Sequence, residues 1–469
     1  MLIQKQQFPY SGVMALAGAV KQAGHQFEVL IDACEPDLIS SLKALRPDVI
    51  GFSVMSIEHK WLRETVRQIR MIFPPVPIIV GGVHAIMYPR EIMELPGVDY
   101  VCCGEGEIVF PQLLQRLAAG QTSAEGLGGV WYHEGQTPID QGVTELISDL
   151  DTIYEDRSVY YDKYTQLKNL SQKFFMSSRG CPFHCAFCCN AYLMDIFKGK
   201  GKYIRRKSVK HFVEEIKRVK EQYGVSSAFF CDDLFILDLK WLEEFKDLYK
   251  SEVNTHFICT GRAGAITAEH ARVLAEAGCH TVSIGLETGN ESLRKKVLKK
   301  NVSDRDIRQC ANNLYQYGIE LQTNNMFGFP GETVADAVST IDFNLEIKTK
   351  YMATSVFMPF PKTELSDYCI KNGLLDEKYS FEDMPQSFIT TSVLNIPGKH
   401  YFENLQKVSH LCLTFPFAKN LLIKLATNVE NRHLFFLFYL LGTFLRYKKE
   451  RKLTFLQNLK YLWTYRKGY

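Results

Sequence analysis

The sequence carries little net charge, no internal repeat and no low-complexity tract, and it opens without a secretory leader. Each lack removes a class of protein. A net charge of +3 in 469 residues, with no nucleic-acid-binding motif beside the basic residues, removes nucleic acid from the expected partners. Met1-Leu2-Ile3-Gln4-Lys5-Gln6 has neither a long apolar core nor a cleavage site, so the chain is expected to stay in the cytosol. There, thirteen cysteines read as reduced thiols or metal ligands, because a reducing compartment disfavours disulfides. What is present is ordinary globular composition, 46% hydrophobic and 23% charged, which excludes extensive disorder. The length predicts two or three domains.

Residues 1–125 alternate apolar runs with amphipathic stretches. Strands are expected at 27–31, 48–54, 77–80 and 98–103, after a short first strand. Helices are expected at 13–23, closed by Gly24, and at 60–72 and 108–118, where apolar positions recur near the 3.6-residue period. Strict alternation implies a doubly wound parallel sheet, an α/β fold that collects ligands outside the carboxyl ends of its strands. Those ends read Ser53-Val54-Met55-Ser56, Gly81-Gly82-Val83-His84 and Cys103-Gly104-Glu105-Gly106-Glu107. Any one of them alone also reads as plain turn chemistry.

Residues 126–170, with Gly128-Gly129 and Val130-Trp131-Tyr132, read as a small hairpin and a linker. Alternation resumes over 171–382, with strands at 174–176, 226–230, 255–259, 281–285, 319–324 and 353–357. Helices at 209–223, 268–277 and 302–317 fit between them, as in a barrel or partial barrel of βα units. Residues 383–469 read as a helical, aromatic and basic region. From residue 416 onward, 11 Lys and Arg face only Glu430 and Glu450, a net of +9. Its twelve-residue apolar run, 434–445, is shorter than the roughly 20 residues a transmembrane helix needs. Packing against the barrel is the expected use of that run, and contact with an anionic membrane surface the alternative.

The most specific segment is Arg179-Gly180-Cys181-Pro182-Phe183-His184-Cys185-Ala186-Phe187-Cys188, which follows a short strand. A cubane iron–sulfur cluster takes thiolates from a short wrapped loop, and Gly180 and Pro182 keep that loop out of a helix. Cys181, Cys185 and Cys188 as ligands leave one iron open. A structural zinc site would need a fourth ligand from His184 or Cys189. Both are sequence neighbours of cysteines already used, which makes closing a tetrahedron awkward, and Cys189 also reads as a small buried thiol.

This loop resembles the signature of the radical S-adenosylmethionine (SAM) superfamily, with Phe187 in its aromatic slot. The resemblance implies a central partial TIM barrel, (βα)6, a 4Fe-4S cluster whose open iron is chelated by SAM, and cleavage of SAM to a 5′-deoxyadenosyl radical. By the same resemblance, Asp232 or Asp233 takes the place of the common Gly-Gly-Glu that holds the methionyl amino group. Arg262 and Glu287 resemble polar SAM contacts, and Asn324 to Gly328 resemble the stretch that passes adenine. An exposed acidic turn and a charged pair on a barrel rim are the plain readings of the same residues.

A doubly wound domain ahead of such a barrel is similar to the cobalamin-binding class of that superfamily. The resemblance places Gly12, Ser53, Met55, Gly81, Gly82, His84, Glu105, Gly106 and Glu107 at cobalamin. Asp-x-His-x-x-Gly is absent, so neither His25 nor His84 is expected to ligate cobalt; His84 is expected at a loop or cofactor edge and His25 at a helix end. The implied reaction is C-methylation of an unactivated carbon in a small-molecule or lipid-like substrate, with an electron donor such as flavodoxin or ferredoxin. The alternatives are a cyclase or oxidase using the same cofactors, and a non-catalytic protein with a vestigial cluster.

Overall fold

In a computed structural model of the chain, residues 1–451 are described, with side chains through Arg446. The described chain divides into two compact units, residues 1–182 with 192–225, and residues 183–191 with 226–451.

The first unit is built on a seven-stranded sheet. Its strands are β1 (Leu2–Gln4), β2 (Val29–Ile31), β3 (Ile50–Ser53), β4 (Ile78–Gly81), β5 (Tyr100–Cys102), β6 (Val130–Glu134) and β7 (Thr137–Ile139), in the order β2-β1-β3-β4-β5-β6-β7. The first five are parallel. They are short, nearly unbroken apolar runs because helices cover such sheets on both faces. Helix His59–Ile72 turns Leu62, Val66 and Ile69 onto Ile3, Phe52, Val80 and Val101, a spacing of three and four residues that makes one apolar stripe. The hairpin expected among residues 126–170 is no separate module. It continues the sheet antiparallel from β5, pairing Tyr100 with Tyr132 and Val101 with Trp131, which covers an otherwise open strand edge.

The same unit holds β8 (Gln172–Phe175), β9 (Ser178–Arg179) and β10 (Arg205–Arg206), the last two an antiparallel pair. It also contains a buried ionic network that sequence periodicity does not reveal. Arg157 bonds Glu155 at 2.9 Å and Glu215 at 2.7 Å, while Lys207 meets the same carboxylates at 3.3 and 2.6 Å. Ser11 Oγ donates to Glu155 at 2.6 Å, and Arg157 lies 4.4 Å from the centre of the Phe175 ring. The network thus joins the first helix, the linker and β8.

In the second unit five parallel strands run in the order β11 (Ser227–Phe230), β12 (Phe257–Gly261), β13 (Cys279–Glu287), β14 (Glu320–Phe327) and β15 (Tyr351–Val356). All six strands expected of the barrel region therefore form, β8 among them, and the fold is α/β with a curled parallel half-barrel. Helices Leu239–Glu252, Ala268–Ala277, Asp304–Gln316 and Val334–Glu346 are each started by a side-chain cap. Asp238, Thr267, Ser303 and Thr333 accept backbone N–H groups of the first turn at 3.1 to 3.3 Å, the polar residue that a helix start requires.

Helices Lys399–Thr414, Lys419–Ala426 and Arg432–Arg451 complete this unit. Phe402, Leu405, Val408, Leu411 and Phe435 bury against Phe327, Ile341 and Met352. One face of the apolar run packs as expected, whereas Leu437 and Leu441 stay 62% and 48% exposed. Among the described residues no helix is long and apolar enough to cross a membrane; the rest of the basic tail, residues 452–469, lies outside them.

Breaking a buried ion pair leaves an uncompensated charge, at a cost of about 3–5 kcal/mol. Glu215→Ala leaves Arg157 and Lys207 to share Glu155. It is expected to lower stability by about that amount, read as the midpoint of the urea transition that exposes this unit. A loss below about 1 kcal/mol, the size of a surface pair, would show the network to be dispensable.

Candidate active site

The residues singled out in the sequence fall in both units, with Cys181 in the first and Cys185 and Cys188 in the second. In the first unit a cavity of about 450 Å³ opens at the carboxyl ends of the parallel strands. Gly12, Ser53, Gly81, Gly82, Glu105, Gly106 and Glu107 all line it, as do Arg179 and Met176. Glycine backbone on one wall and apolar side chains such as Phe52, Ile86 and Phe110 on the others make a surface for a broad, flat group with polar edges. Gly82 is required there. Its φ is +91°, and a Cβ would stand 2.7 Å from the Val54 nitrogen and 2.8 Å from the Val54 carbonyl oxygen, so any side chain would push the β3 and β4 loops apart.

Met55 and His84 are not in the cavity wall. Met55 donates its N–H to Glu58 at 2.9 Å. His84 is fully buried, its ring 2.8 Å from His59 Nδ1 and 3.1 Å from Ser56 Oγ. It holds two loops together behind the cavity rather than presenting an edge to it. Burial pushes the neighbouring Glu58 carboxyl up to about 7. His25 follows the first helix, its N–H donated to the Val20 carbonyl at 3.2 Å.

Glu105 and Glu107 do line the cavity, but their carboxylates are already engaged. Arg179 Nη1 lies 2.9 Å from Glu105 and Nη2 2.5 Å from Glu107. Both Arg205 terminal nitrogens donate to Glu105 at 2.8 Å, and Ile147 N–H adds a bond at 2.7 Å.

Cys181, Cys185 and Cys188 follow β9 in a segment without helix; Cys185 is buried and the other two are half-buried. Among the described residues no three His, Cys, Asp or Glu side chains converge closely enough to hold an ion in the chain alone. Closure of thiols around metal is part of binding, and the loop is shaped for it. Cys188 N–H donates to the Cys185 carbonyl at 3.0 Å, a turn that folds these two residues together. Arg262 brings its guanidinium within 3.8 Å of Cys185 Sγ and 3.9 Å from the Phe183 ring centre. The donor set and its surroundings fit a cluster held by three thiolates.

Of the other residues expected at SAM, Phe187 lies in the cysteine loop and the rest lie along or just past the carboxyl halves of β11, β13 and β14. Phe187 is half-buried, Asp232 is buried with its carbonyl accepting Thr260 Oγ1 at 2.5 Å, and Asp233 is exposed and accepts from Asn190 at 3.1 Å. Glu287 adopts φ +67°, left-handed for a residue with a side chain, where the β13–β14 register shifts. Its carboxylate accepts Lys300 Nζ at 2.7 Å in a pair only 9% exposed on each side. Backbone strain held in place by a buried ion pair is a feature of functional sites. Asn324 is exposed and donates to Ser283 Oγ at 3.1 Å.

Gly328 and Phe329 donate their N–H groups to one oxygen of Glu332 at 2.5 and 3.0 Å, and the other oxygen is buried with no partner among the described residues. Glu332, Lys300, Arg179 and Arg205 are the residues that sequence reasoning missed. Arg179 had a signal, since it stands inside the quoted cysteine segment, and Glu332 lies four residues past Gly328; Lys300 and Arg205 had none.

Burial pushes the Glu332 carboxyl up to about 8 against the pull of its two N–H donors. An acid with a raised folded value contributes stability that is complete below the ordinary glutamate range and is lost as pH rises towards that folded value. Glu332→Gln keeps an acceptor and does not titrate. Wild type is expected to fall in Tm relative to this variant on going from about pH 5 to about pH 8; a difference constant across that range would overturn the assignment.

Residues 5–114 match the B12 binding domain and residues 175–343 the radical SAM superfamily. Among curated proteins, an uncharacterised methyltransferase of Pyrococcus horikoshii is 26% identical over 377 residues, 78% of this chain and 80% of that one. The cytidylyl-2-hydroxyethylphosphonate methyltransferase of Streptomyces wedmorensis is 23% identical over 406 residues, 78% of this chain and 74% of its own. An anaerobic magnesium-protoporphyrin IX monomethyl ester cyclase of Rubrivivax gelatinosus is 24% identical over 392 residues, 80% and 69% of the two chains. Among solved structures, the radical SAM methyltransferase TsrM of Kitasatospora setae, with cobalamin and a [4Fe-4S] cluster bound, superposes with a TM-score of 0.64 at 18% identity, covering 79% of this chain and 77% of that one. The chain belongs to the cobalamin-binding radical SAM enzymes, whose cofactors are a 4Fe-4S cluster, SAM and cobalamin.

Proposed function

We propose that this enzyme is a cobalamin-dependent C-methyltransferase acting on an unactivated carbon of a small or lipid-like molecule, in the cytosol, with a flavodoxin- or ferredoxin-type electron donor. One observation carries the reading: a glycine-lined cavity at the strand ends of the sheet that matches the B12 binding domain belongs to the same chain as a three-cysteine loop that would leave one iron of a cluster open. When bound, the cluster with SAM supplies a hydrogen-abstracting radical, and cobalamin supplies a transferable methyl group.

The chain's own residues have the work of holding and orienting. Cys181, Cys185 and Cys188 would hold the cluster, with Arg262 beside Cys185. The Glu287–Lys300 pair and Asn324 would present polar atoms to the amino-acid end and the ribose side of SAM, and Gly328 would let backbone approach its flat ring. Asp232 and Asp233 would serve the methionyl amino group, and Phe187 would wall the loop. Gly12, Ser53, Gly81, Gly82 and Gly106 would face the corrin.

Anaerobic turnover with methyl-deuterated SAM tests the reading. The expected products are 5′-deoxyadenosine and S-adenosylhomocysteine in equal amounts, with a substrate carrying one trideuteromethyl group. Cys181→Ala, Cys185→Ala and Cys188→Ala are each expected to abolish deoxyadenosine formation. A product two hydrogens lighter, formed without S-adenosylhomocysteine, would replace methyl transfer by ring closure or oxidation.

A further inference from the structure

Pairing of β9 with β10 sets Arg179 directly opposite Arg205. Two guanidinium groups so placed repel unless an anion lies between them. Glu105 is that anion, bonded to Arg179 at 2.9 Å and to Arg205 at 2.8 Å, and Glu107 takes the remaining terminal nitrogen of Arg179 at 2.5 Å. Both carboxylates come from the turn after β5 that lines the cavity, and the Arg179 side chain lines it too. All three side chains are mostly buried, at 21%, 12% and 10% exposure for Arg179, Glu105 and Glu107.

Arg179 stands two residues before Cys181. Between them Gly180 has φ +91°, and a Cβ there would lie 2.5 Å from the Tyr203 carbonyl oxygen. The Arg179 side chain is therefore held by the two carboxylates, and the backbone at Gly180 packs closely against the Tyr203 carbonyl.

We infer that Arg179 is a positioning residue which, through Glu105 and Glu107, couples filling of the cavity to the placement of Cys181. The inference rests on the cavity being the cobalamin site. A group that fills the cavity restrains the Glu105–Arg179–Glu107 cluster, and the cluster restrains the first iron ligand. Linkage then requires the converse: a chain with its iron–sulfur cluster assembled binds cobalamin more tightly, by the same factor by which cobalamin favours the assembled loop. Couplings of this kind amount to about 5- to 150-fold.

Two measurements on the full chain test it without turnover. The first is the Kd of hydroxocobalamin with and without the reconstituted cluster. The second is hydrogen–deuterium exchange of residues 178–182 in the cluster-free chain, with and without hydroxocobalamin. Wild type is expected to show a Kd ratio in the range above and slowed exchange on adding cobalamin. Arg179→Gln is expected to bring both effects close to none while cobalamin still binds. Arg179→Lys, which keeps the charge and loses the two-pronged geometry, and Glu107→Gln, which keeps the shape and loses the charge, are expected to fall between. A wild-type Kd ratio of one, or a ratio unchanged in Glu107→Gln with its iron content intact, overturns the coupling. Failure of wild type to bind hydroxocobalamin at all overturns the cofactor reading on which it rests.

Discussion

A carboxylate shared between two arginines organises the first unit. Glu105 neutralises Arg179 and Arg205, which the β9–β10 pair sets face to face. Without it the pair would be driven apart, and the strand leading into the cysteine loop would lose its partner. Glu105 also anchors Ile147 and, through its own N–H, Thr144 Oγ1 at 2.8 Å, so the turn after β5 and the chain beyond the hairpin are fixed by the same group. Charged residues beside a cofactor cavity invite a reading as ligands of that cofactor. Here geometry gives them a prior commitment to one another.

The parallel sheets impose the other constraint. Side chains along buried strands are spent on core, so polar chemistry must gather where strands end. In the first unit the ends of β3, β4 and β5 supply Ser53, Gly81 and the turn through Glu107. In the second the ends of β11 to β14 supply Asp232, Arg262, Glu287 and Gly328. The two units share a plan and differ in what their ends offer: the first has glycines and an apolar wall suited to a wide planar ligand, the second buried charges suited to a zwitterionic one.

Much of this was legible in the sequence because strand alternation and cysteine spacing are local signals. Helices Val209–Tyr223 and Ala268–Ala277 fall where periodicity puts them, and seven of the nine residues named for cobalamin by resemblance line one cavity. What the sequence hides is pairing between distant residues. The sequence places His84 at a loop or cofactor edge, yet its ring lies buried 2.8 Å from that of His59, twenty-five positions away. The hairpin looked independent because its partner strand lies some thirty residues upstream. Lys300 and Arg205 carry no local mark; only the fold shows that each neutralises a buried carboxylate, Glu287 and Glu105.

The central claim is that three cysteines hold a cluster with one iron left open for SAM. Its most direct test is the electron paramagnetic resonance spectrum of the reduced, reconstituted protein, recorded anaerobically before and after SAM is added. An open iron predicts a change in the cluster's g values on addition of SAM, because the amino and carboxylate groups become iron ligands. A cluster signal that is indifferent to SAM would contradict the account.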